Sequence, residues 1–359
     1  MILSDMGADV IKVEEPGLGD YMRATPPTKD GVSPVHTSVN RNKKSIGINL
    51  KSKEGREVMR RLLKRADVFV EGFRPGAMSR LGFSFPEVRK INRRIVYCSI
   101  SAYGQRNRLS YTPGHDINFQ AMAGTLGYSH DPQVPLLQLG DMASGMYAAI
   151  GILGALARGK GAVHIDVPIV GSLLSWMVIP ASAYLATGLP PTVGHSLVFG
   201  STPYYNLYLT ADGKYMAVAA IEERFWKNLL ASLGIPEMAH LRFGTSTERG
   251  EVAEAITRAF ASKTRDEWSE ILMQNDTCTT PVLTVEEALK SGWAKALSML
   301  LEVSPGNVIL NQPIQSRPKM RTRPVTLAPE LGQDTSRLMK SLGYTEAEIA
   351  ELRSAGSVQ

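Results

Sequence analysis

At 359 residues, with 43% apolar and 21% charged content, the chain is long enough for a full core and for two domains, and its composition excludes a disordered or fibrous protein. Its two cysteines, Cys98 in a strand-like run and Cys278 in a polar one, offer neither a disulfide framework nor metal-ligand spacing, which favours a reducing, cytoplasmic setting with no bound metal. The net charge of +6 does not mark a nucleic-acid binder, because the basic residues are interleaved with acids in helical segments such as Arg56 to Arg65 and no basic and aromatic groove pattern appears.

The chain does not open with a cationic region and an apolar run, so no signal peptide is expected. The longest small and apolar segment, Met142 to Ala157, has 16 residues, short for a bilayer span, and reads as a buried helix. No membrane partner is expected.

In chain order, Met1 to Ala8 reads as the end of a helix with a glycine stop, followed at once by the strand Asp9 to Val13. An opening in mid-helix suggests that a preceding strand and half-helix are missing. Ser45 to Leu50 alternates as a strand, and Ser52 is placed to cap a helix with Val58, Met59, Leu62 and Leu63 inward. Asp67 to Val70 is the next strand; a helix follows the Arg74-Pro75-Gly76 turn toward Asn92, and Arg94 to Ile100 is the strand after it. Strands alternating with helices predict a parallel sheet covered on both faces, an α/β, Rossmann-like large domain. Ligands of such sheets bind at the carboxyl ends of the strands, which singles out the loops Glu14 to Asp20, Glu71 to Arg80 and Ser101 to Gly114. None carries G-x-G-x-x-G or a Walker loop, so nicotinamide and nucleotide triphosphate readings lose support.

After the short strand Ala162 to Ile165 comes a long apolar helix, Ile169 to Leu185, and then a linker marked by Gly188, Pro190, Pro191, Gly194 and Gly200. Beyond it a smaller α+β domain is predicted: a hairpin of Tyr204 to Thr210 and Lys214 to Ala219 around Asp212-Gly213, then helices at Arg224 to Leu233, Gly250 to Ala261 and Thr264 to Gln274. The domain boundaries expected are 1–190, 200–295, and 296–359 returning to the large domain, with an extended proline-rich stretch from Gln312 to Pro329 and a short helix from Glu346 to Arg353.

Three residues are candidates for chemistry. His115 follows a Pro113-Gly114 turn at the start of the apolar run Ile117 to Leu126, on a loop after a parallel strand, where a side chain faces a ligand. Asp141 opens the apolar segment Met142 to Ala157; by itself it reads first as a plain helix cap, and a carboxylate there can also serve as a base, a protonated acid or a nucleophile, depending on burial. Glu222 comes just after the second hairpin strand, ahead of Phe225 and Trp226, and reads by itself as a helix-start acid. Met122, Met142, Met146 and Met177 are expected in the core rather than in an acyl pocket.

Several motifs together resemble the family III CoA-transferases (CaiB/BaiF type), and within them the α-methylacyl-CoA racemases. They are Gly7 to Glu14, Asn40-Arg41-Asn42-Lys43-Lys44-Ser45, Phe73-Arg74-Pro75-Gly76 with Arg80-Leu81-Gly82, Gly114-His115-Asp116-Ile117-Asn118-Phe119, Gly140-Asp141-Met142, and Thr210 to Val218. The resemblance implies an interlocked homodimer whose active site lies between large and small domains of different subunits, with no cofactor beyond the coenzyme A of the acyl-CoA substrate. In transferases the residue matching Asp141 resembles a nucleophile that takes up the acyl group; in racemases it looks like one of two acid/base groups, the other matching His115. Glu222 matches a glutamate that positions the histidine, in the interlocked arrangement the partner's. Residues matching family CoA contacts are Ile48, Asn49, Leu50, Lys51, Phe73, Arg74 and Arg80, together with Gly114, His115, Asp116, Ile117, Asn118 and Phe119.

The expected function is racemisation or epimerisation at C2 of a 2-methylacyl-CoA by two-base proton transfer through an enolate, with backbone N–H groups at the start of the Asp141 helix as oxyanion donors. The alternatives are CoA transfer to a free carboxylate through Asp141, and an inactive acyl-CoA-binding protein. Three departures from the family pattern stand out: a first strand and half-helix of roughly 20 to 25 residues is lacking, Glu15 stands where arginine is common, and the 26-residue spacing from His115 to Asp141 is short.

Overall fold

The computed structural model describes residues 1–29, 31–127, 132–190, 200, 202–318, 320 and 324–359. It forms two compact units, one from Met1–Ala123, Val134–Trp176 and Gly292–Gln359, the other from Gly124–Gln133 and Met177–Ser291.

The first unit opens with α1 (Ile2–Asp5), β1 (Val10–Glu14), α2 (Pro34–Asn40), β2 (Lys43–Gly47) and α3 (Lys53–Arg65). The Ser52 hydroxyl accepts the Gly55 N–H at 2.9 Å and caps α3 as its sequence position predicts. β1 and β2 pair in parallel, with Val13 opposite Ile46. Then come β3 (Val68–Glu71), α4 (Ala77–Arg80), α5 (Phe85–Ile91), β4 (Val96–Ser101), α6 (Asp116–Met122), α7 (Leu139–Arg158), β5 (Val163–Pro168) and α8 (Ile169–Trp176). The single helix expected between Gly76 and Asn92 is two, because Ser84 and Glu87 form a capping box, with the Glu87 carboxylate accepting the Ser84 N–H at 2.8 Å, that starts a new helix at Phe85.

Strands β3, β4 and β5 form a parallel sheet in that order. Alternate residues of β4 point to opposite faces. Val96 and Cys98 pack with Ala148 and Ile152 of α7, whereas Tyr97 packs with Met59 and Leu63 of α3 and Phe83 and Val88 around α5. Helices therefore cover both faces, the layering of a doubly wound α/β domain.

The second unit contains α9 (Val178–Thr187), the antiparallel sheet β6 (Tyr205–Leu209), β7 (Tyr215–Ala219) and β8 (Thr279–Pro281), and helices α10 (Glu223–Leu233), α11 (Ser246–Phe260), α12 (Arg265–Gln274) and α13 (Val285–Lys290). Its core gathers Trp226, Leu229, Val252, Ile256, Phe260 and Trp268. The units divide at Trp176 and Ser291, not at the expected 190 and 295. The apolar run 169–185 breaks at Met177 because Pro180 has no N–H to give the Trp176 carbonyl and its ring would strike that carbonyl. Gly188 ends α9 with φ 69°; Pro191 and Gly194 of the expected linker lie outside the described residues.

The chain returns to the first unit through α14 (Gly292–Ala296), the hairpin β9 (Leu300–Ser304) and β10 (Asn307–Leu310), α15 (Thr335–Ser341) and α16 (Glu346–Ser354). Leu338, Met339, Leu342, Ile349 and Val358 pack on Ile46, Ile48 and Val58. The Asp334 carboxylate accepts the Ser45 N–H at 2.9 Å, and the Thr335 hydroxyl accepts that of Gly47 at 3.1 Å.

The Asn40 to Ser45 motif is explained by this packing. Arg41, 1% exposed, forks onto Asp5 of α1 (Nη2 to Oδ2, 2.5 Å) and donates to the Leu310 carbonyl of β10 at 2.7 Å. The Asn42 amide donates to Asp5 at 2.6 Å, Lys44 pairs with Asp9, and the Ser45 hydroxyl donates to Glu14 at 2.5 Å. Burial works to raise the Glu14 pKa, but hydrogen bonds from Arg23 and Ser45 outweigh it and hold the carboxyl below its usual range.

Asp5→Ala leaves the Arg41 charge buried without its counter-ion, so urea unfolding monitored by circular dichroism is expected to show a loss of about 3–5 kcal/mol. A loss under about 1 kcal/mol, the size of a surface pair, would refute this role for the pair.

Candidate active site

The segment from Gly114 to Phe119 builds the start of α6 residue by residue. Asn118 turns its side chain back so that its Oδ1 accepts the His115 N–H at 3.0 Å, which fixes His115 as the residue preceding the helix. Phe119 is buried and meets Tyr103 edge to face at 5.8 Å. Its ring lies so close beneath Gly114 that a Cβ there would be 2.7 Å from it. His115 and Ile117 are exposed, whereas Asp116 is 8% exposed.

Asp116 reaches the second helix of the site. Its Oδ1 accepts the Asp141 N–H at 3.0 Å, and its Oδ2 accepts from Gln120 Nε2 at 2.6 Å. His115 and Asp141 are thus brought to the starts of two adjoining helices. Asp141 is not the cap, as expected, but the third residue of α7, which begins at Leu139. The earlier start follows from this bond, since Asp116 supplies from outside the acceptor that a capping side chain would have offered. Burial raises the Asp141 pKa, the neighbouring Asp116 charge raises it further, and His115 offsets part of the rise.

The first-turn N–H groups of α7 are not all free for an oxyanion. That of Asp141 is held by Asp116, and that of Met142 by the Gln138 carbonyl at 3.0 Å. Leu139 and Gly140 carry the remaining candidates. α7 itself is 20 residues long and, among the described residues, is the one helix long and apolar enough to cross a bilayer. It is not the fully buried helix expected. Ala143, Ala148 and Ile152 face the fold, whereas Met142, Met146, Ile150 and Leu153 form a stripe between 40% and 62% exposed. Met122 is exposed as well, so the methionines do not make a core; Met177 is half-buried and belongs to the second unit.

The other candidates fall on strand ends. Ile48, Asn49, Leu50 and Lys51 follow β2; Ile48 is buried, and the Lys51 ammonium is exposed and pairs with Glu15 at 2.9 Å. Glu15 therefore engages the Lys51 cation. An exposed pair of this kind is worth about 0–1 kcal/mol and yields readily to a multiply charged ligand. Phe73, Arg74 and Arg80 follow β3 and are exposed. Their loop is turned by Glu71, whose carboxylate accepts the Phe73 N–H at 2.9 Å.

Glu71 belongs to a feature the sequence reading missed. On the sheet face away from α7, a cleft of about 470 Å³ is lined by Glu71, Arg74, Tyr97, Ser99, Arg106 and His164, among others. The Ser99 hydroxyl meets His164 Nε2 at 3.0 Å. Burial raises the Glu71 pKa and lowers that of His164. A strand position where polar residues fall opposite one another is visible in sequence only once the register is known. Glu222 lies in the second unit as the residue preceding α10, where its carbonyl accepts the Trp226 N–H at 3.0 Å. Among the described residues no three His, Cys, Asp or Glu side chains gather as metal ligands do.

A Gly-His-Asp helix start is thus joined to a Gly-Asp helix start in a doubly wound parallel domain. The chain belongs to CoA-transferase family III, whose profile matches residues 1–335. It is 32% identical to the human alpha-methylacyl-CoA racemase over 99% of this chain and 91% of that protein. It is equally 32% identical to the acetyl-CoA:oxalate CoA-transferase of Acetobacter aceti, over 97% of this chain and 92% of that one. The crystal structure of a CaiB/BaiF family protein from Brucella suis superposes with a TM-score of 0.81 at 27% identity, covering 95% of this chain and 93% of the other.

Gly114→Ala forces the Phe119 ring out of place, with an expected loss of about 1–3 kcal/mol measured by urea unfolding. A variant as stable as the parent, with an unshifted Phe119 ring spectrum, would show that the motif's glycine has another purpose.

Proposed function

We propose that the chain interconverts the epimers of a 2-methylacyl-CoA at C2. Overall identity does not choose between racemase and transferase, since relatives of both kinds are equally similar. The observation that supports racemisation is the pairing of an imidazole with a carboxyl group at two adjoining helix starts, the carboxyl's pKa raised by burial and by the Asp116 charge.

A thioester acidifies the hydrogen on C2. One of the two groups removes that proton from one face, the electrons pass into the thioester carbonyl to give a planar enolate, and the other group returns a proton to the opposite face. Between them His115 and Asp141 carry one proton, and they exchange roles when the direction reverses. Arg74, Arg80 and Lys51 supply cations for the CoA phosphates. Glu222 of one chain orients His115 of another in a homodimer, and the exposed apolar stripe of α7 supplies surface for such an association.

CoA transfer is the second reading. It needs only Asp141 as nucleophile, and the likeness to the oxalate transferase favours it.

Incubation of (R)- and (S)-2-methylacyl-CoA in deuterium oxide without acceptor acid, followed by NMR and chirality analysis, tests the choice. Deuterium at C2 with interconversion is expected, and His115→Ala should reduce both about 10²–10⁴-fold. No deuterium uptake, with CoA passing to an added carboxylate and surviving His115→Ala, would replace this reading with the second one.

A further inference from the structure

We propose that Asp116 is a positioning residue for the site: its carboxylate fixes the first turn of α7 through the Asp141 N–H and holds a negative charge beside the Asp141 side chain. The inference rests on the reading of Asp141 as an acid/base group. This arrangement also turns the Asp116 carboxylate away from any CoA phosphate.

The Asp116 side chain faces inward. One oxygen accepts the Asp141 N–H at 3.0 Å and the other accepts from Gln120 Nε2 at 2.6 Å. Gln120 Nε2 also donates to the Leu137 carbonyl at 2.9 Å, two residues ahead of α7. The carboxylate and the amide therefore clamp both the approach to α7 and its first turn onto α6. A buried side chain with both oxygens engaged by protein donors is poorly placed to meet an incoming phosphate.

Gly140 shows how closely the carboxylate is fitted. A Cβ there would stand 3.0 Å from Asp116 Oδ1, 2.9 Å from Ile169 Cγ2 and 3.1 Å from Leu173 Cδ1. Only a residue without a side chain lets the acid reach the helix end while α8 packs behind it. The glycine ahead of Asp141 thus has a reason that concerns Asp116.

Two consequences follow for Asp141. Its backbone is pinned, so its side chain leaves the helix from a fixed point near His115. Its carboxyl also ionises next to an existing charge, which favours the protonated form.

Asp116→Asn and Asp116→Ala separate the two effects. Asparagine keeps an acceptor for the Asp141 N–H and removes the charge; alanine removes both. The readouts are the carbon-13 titration of the Asp141 carboxyl, assigned with Asp141→Asn, and the pH profile of deuterium uptake at C2. In Asp116→Asn the Asp141 midpoint and the acid limb of the profile should move to lower pH together, with plateau kcat within about tenfold of the parent. In Asp116→Ala plateau kcat should fall about 10²-fold with KM little changed, the effect of a misplaced catalytic group. An unmoved midpoint in Asp116→Asn, or a rise in KM for the thioester alone in both variants, overturns the proposal. If the parent takes up no deuterium but the midpoint still moves in Asp116→Asn, the racemase reading fails and the role of Asp116 stands.

Discussion

The first turn of a helix presents N–H groups that no residue of the same helix can accept, and the His115 and Asp141 region of this protein is arranged around one of them. Asp116 answers the N–H of Asp141 from a neighbouring helix, which joins two sequence motifs 25 residues apart into one site. Most of the surrounding peculiarities follow. Gly140 is small so that the acid can approach; Gln120 is amidic so that the second oxygen is not left bare; Asn118 and Gly114 shape the turn that puts His115 just outside the helix while Asp116 points in. A protein that places two proton-transfer groups within reach of one carbon must hold both backbones, and hydrogen bonds to helix starts do this without occupying the side chains themselves.

The alternation of strand and helix was legible from apolar periodicity, and so was the cap at Ser52, because these are local signals. The errors lie where a distant partner decides. Asp141 looks like a cap until Asp116 is found to do that work from the preceding helix. The Met142 to Ala157 segment looks buried all round because its composition is apolar, yet one stripe is left open on the isolated chain. Pro180 was a break visible in the letters alone, and the long apolar run around it masked the signal. For the site, residue identity was available from motif likeness, but the inward turn of Asp116 depends on a packing distance at Gly140 that no pattern encodes.

Racemase and transferase relatives are equally near in overall identity, and the structure shows why such a tie is physically reasonable. Scaffold contacts such as Arg41 with Asp5 and Glu14 with Arg23 and Ser45 serve stability and are indifferent to the reaction. The chemistry turns on what stands beside one carboxyl group. A carboxylate alone can attack a thioester; with an imidazole on the adjoining helix it has a partner for proton exchange across a planar carbon. Fold-level likeness therefore carries the family, and in the proposed reading the side chain at position 115 carries the choice of reaction.

Met142 follows Asp141 directly and begins the exposed stripe of α7. In the homodimer proposed above, covering that stripe would also draw water away from the Asp141 carboxyl. Burial is already the largest influence raising its pKa, and Asp116 acts in the same direction, so association would strengthen an existing bias rather than create one. The sign matters for mechanism. Each of these influences favours the protonated carboxyl, the form that can return a proton to an enolate. Assembly and catalysis would then be coupled through the solvent around a single side chain, with Asp116 holding the backbone that carries it whether or not a partner is present.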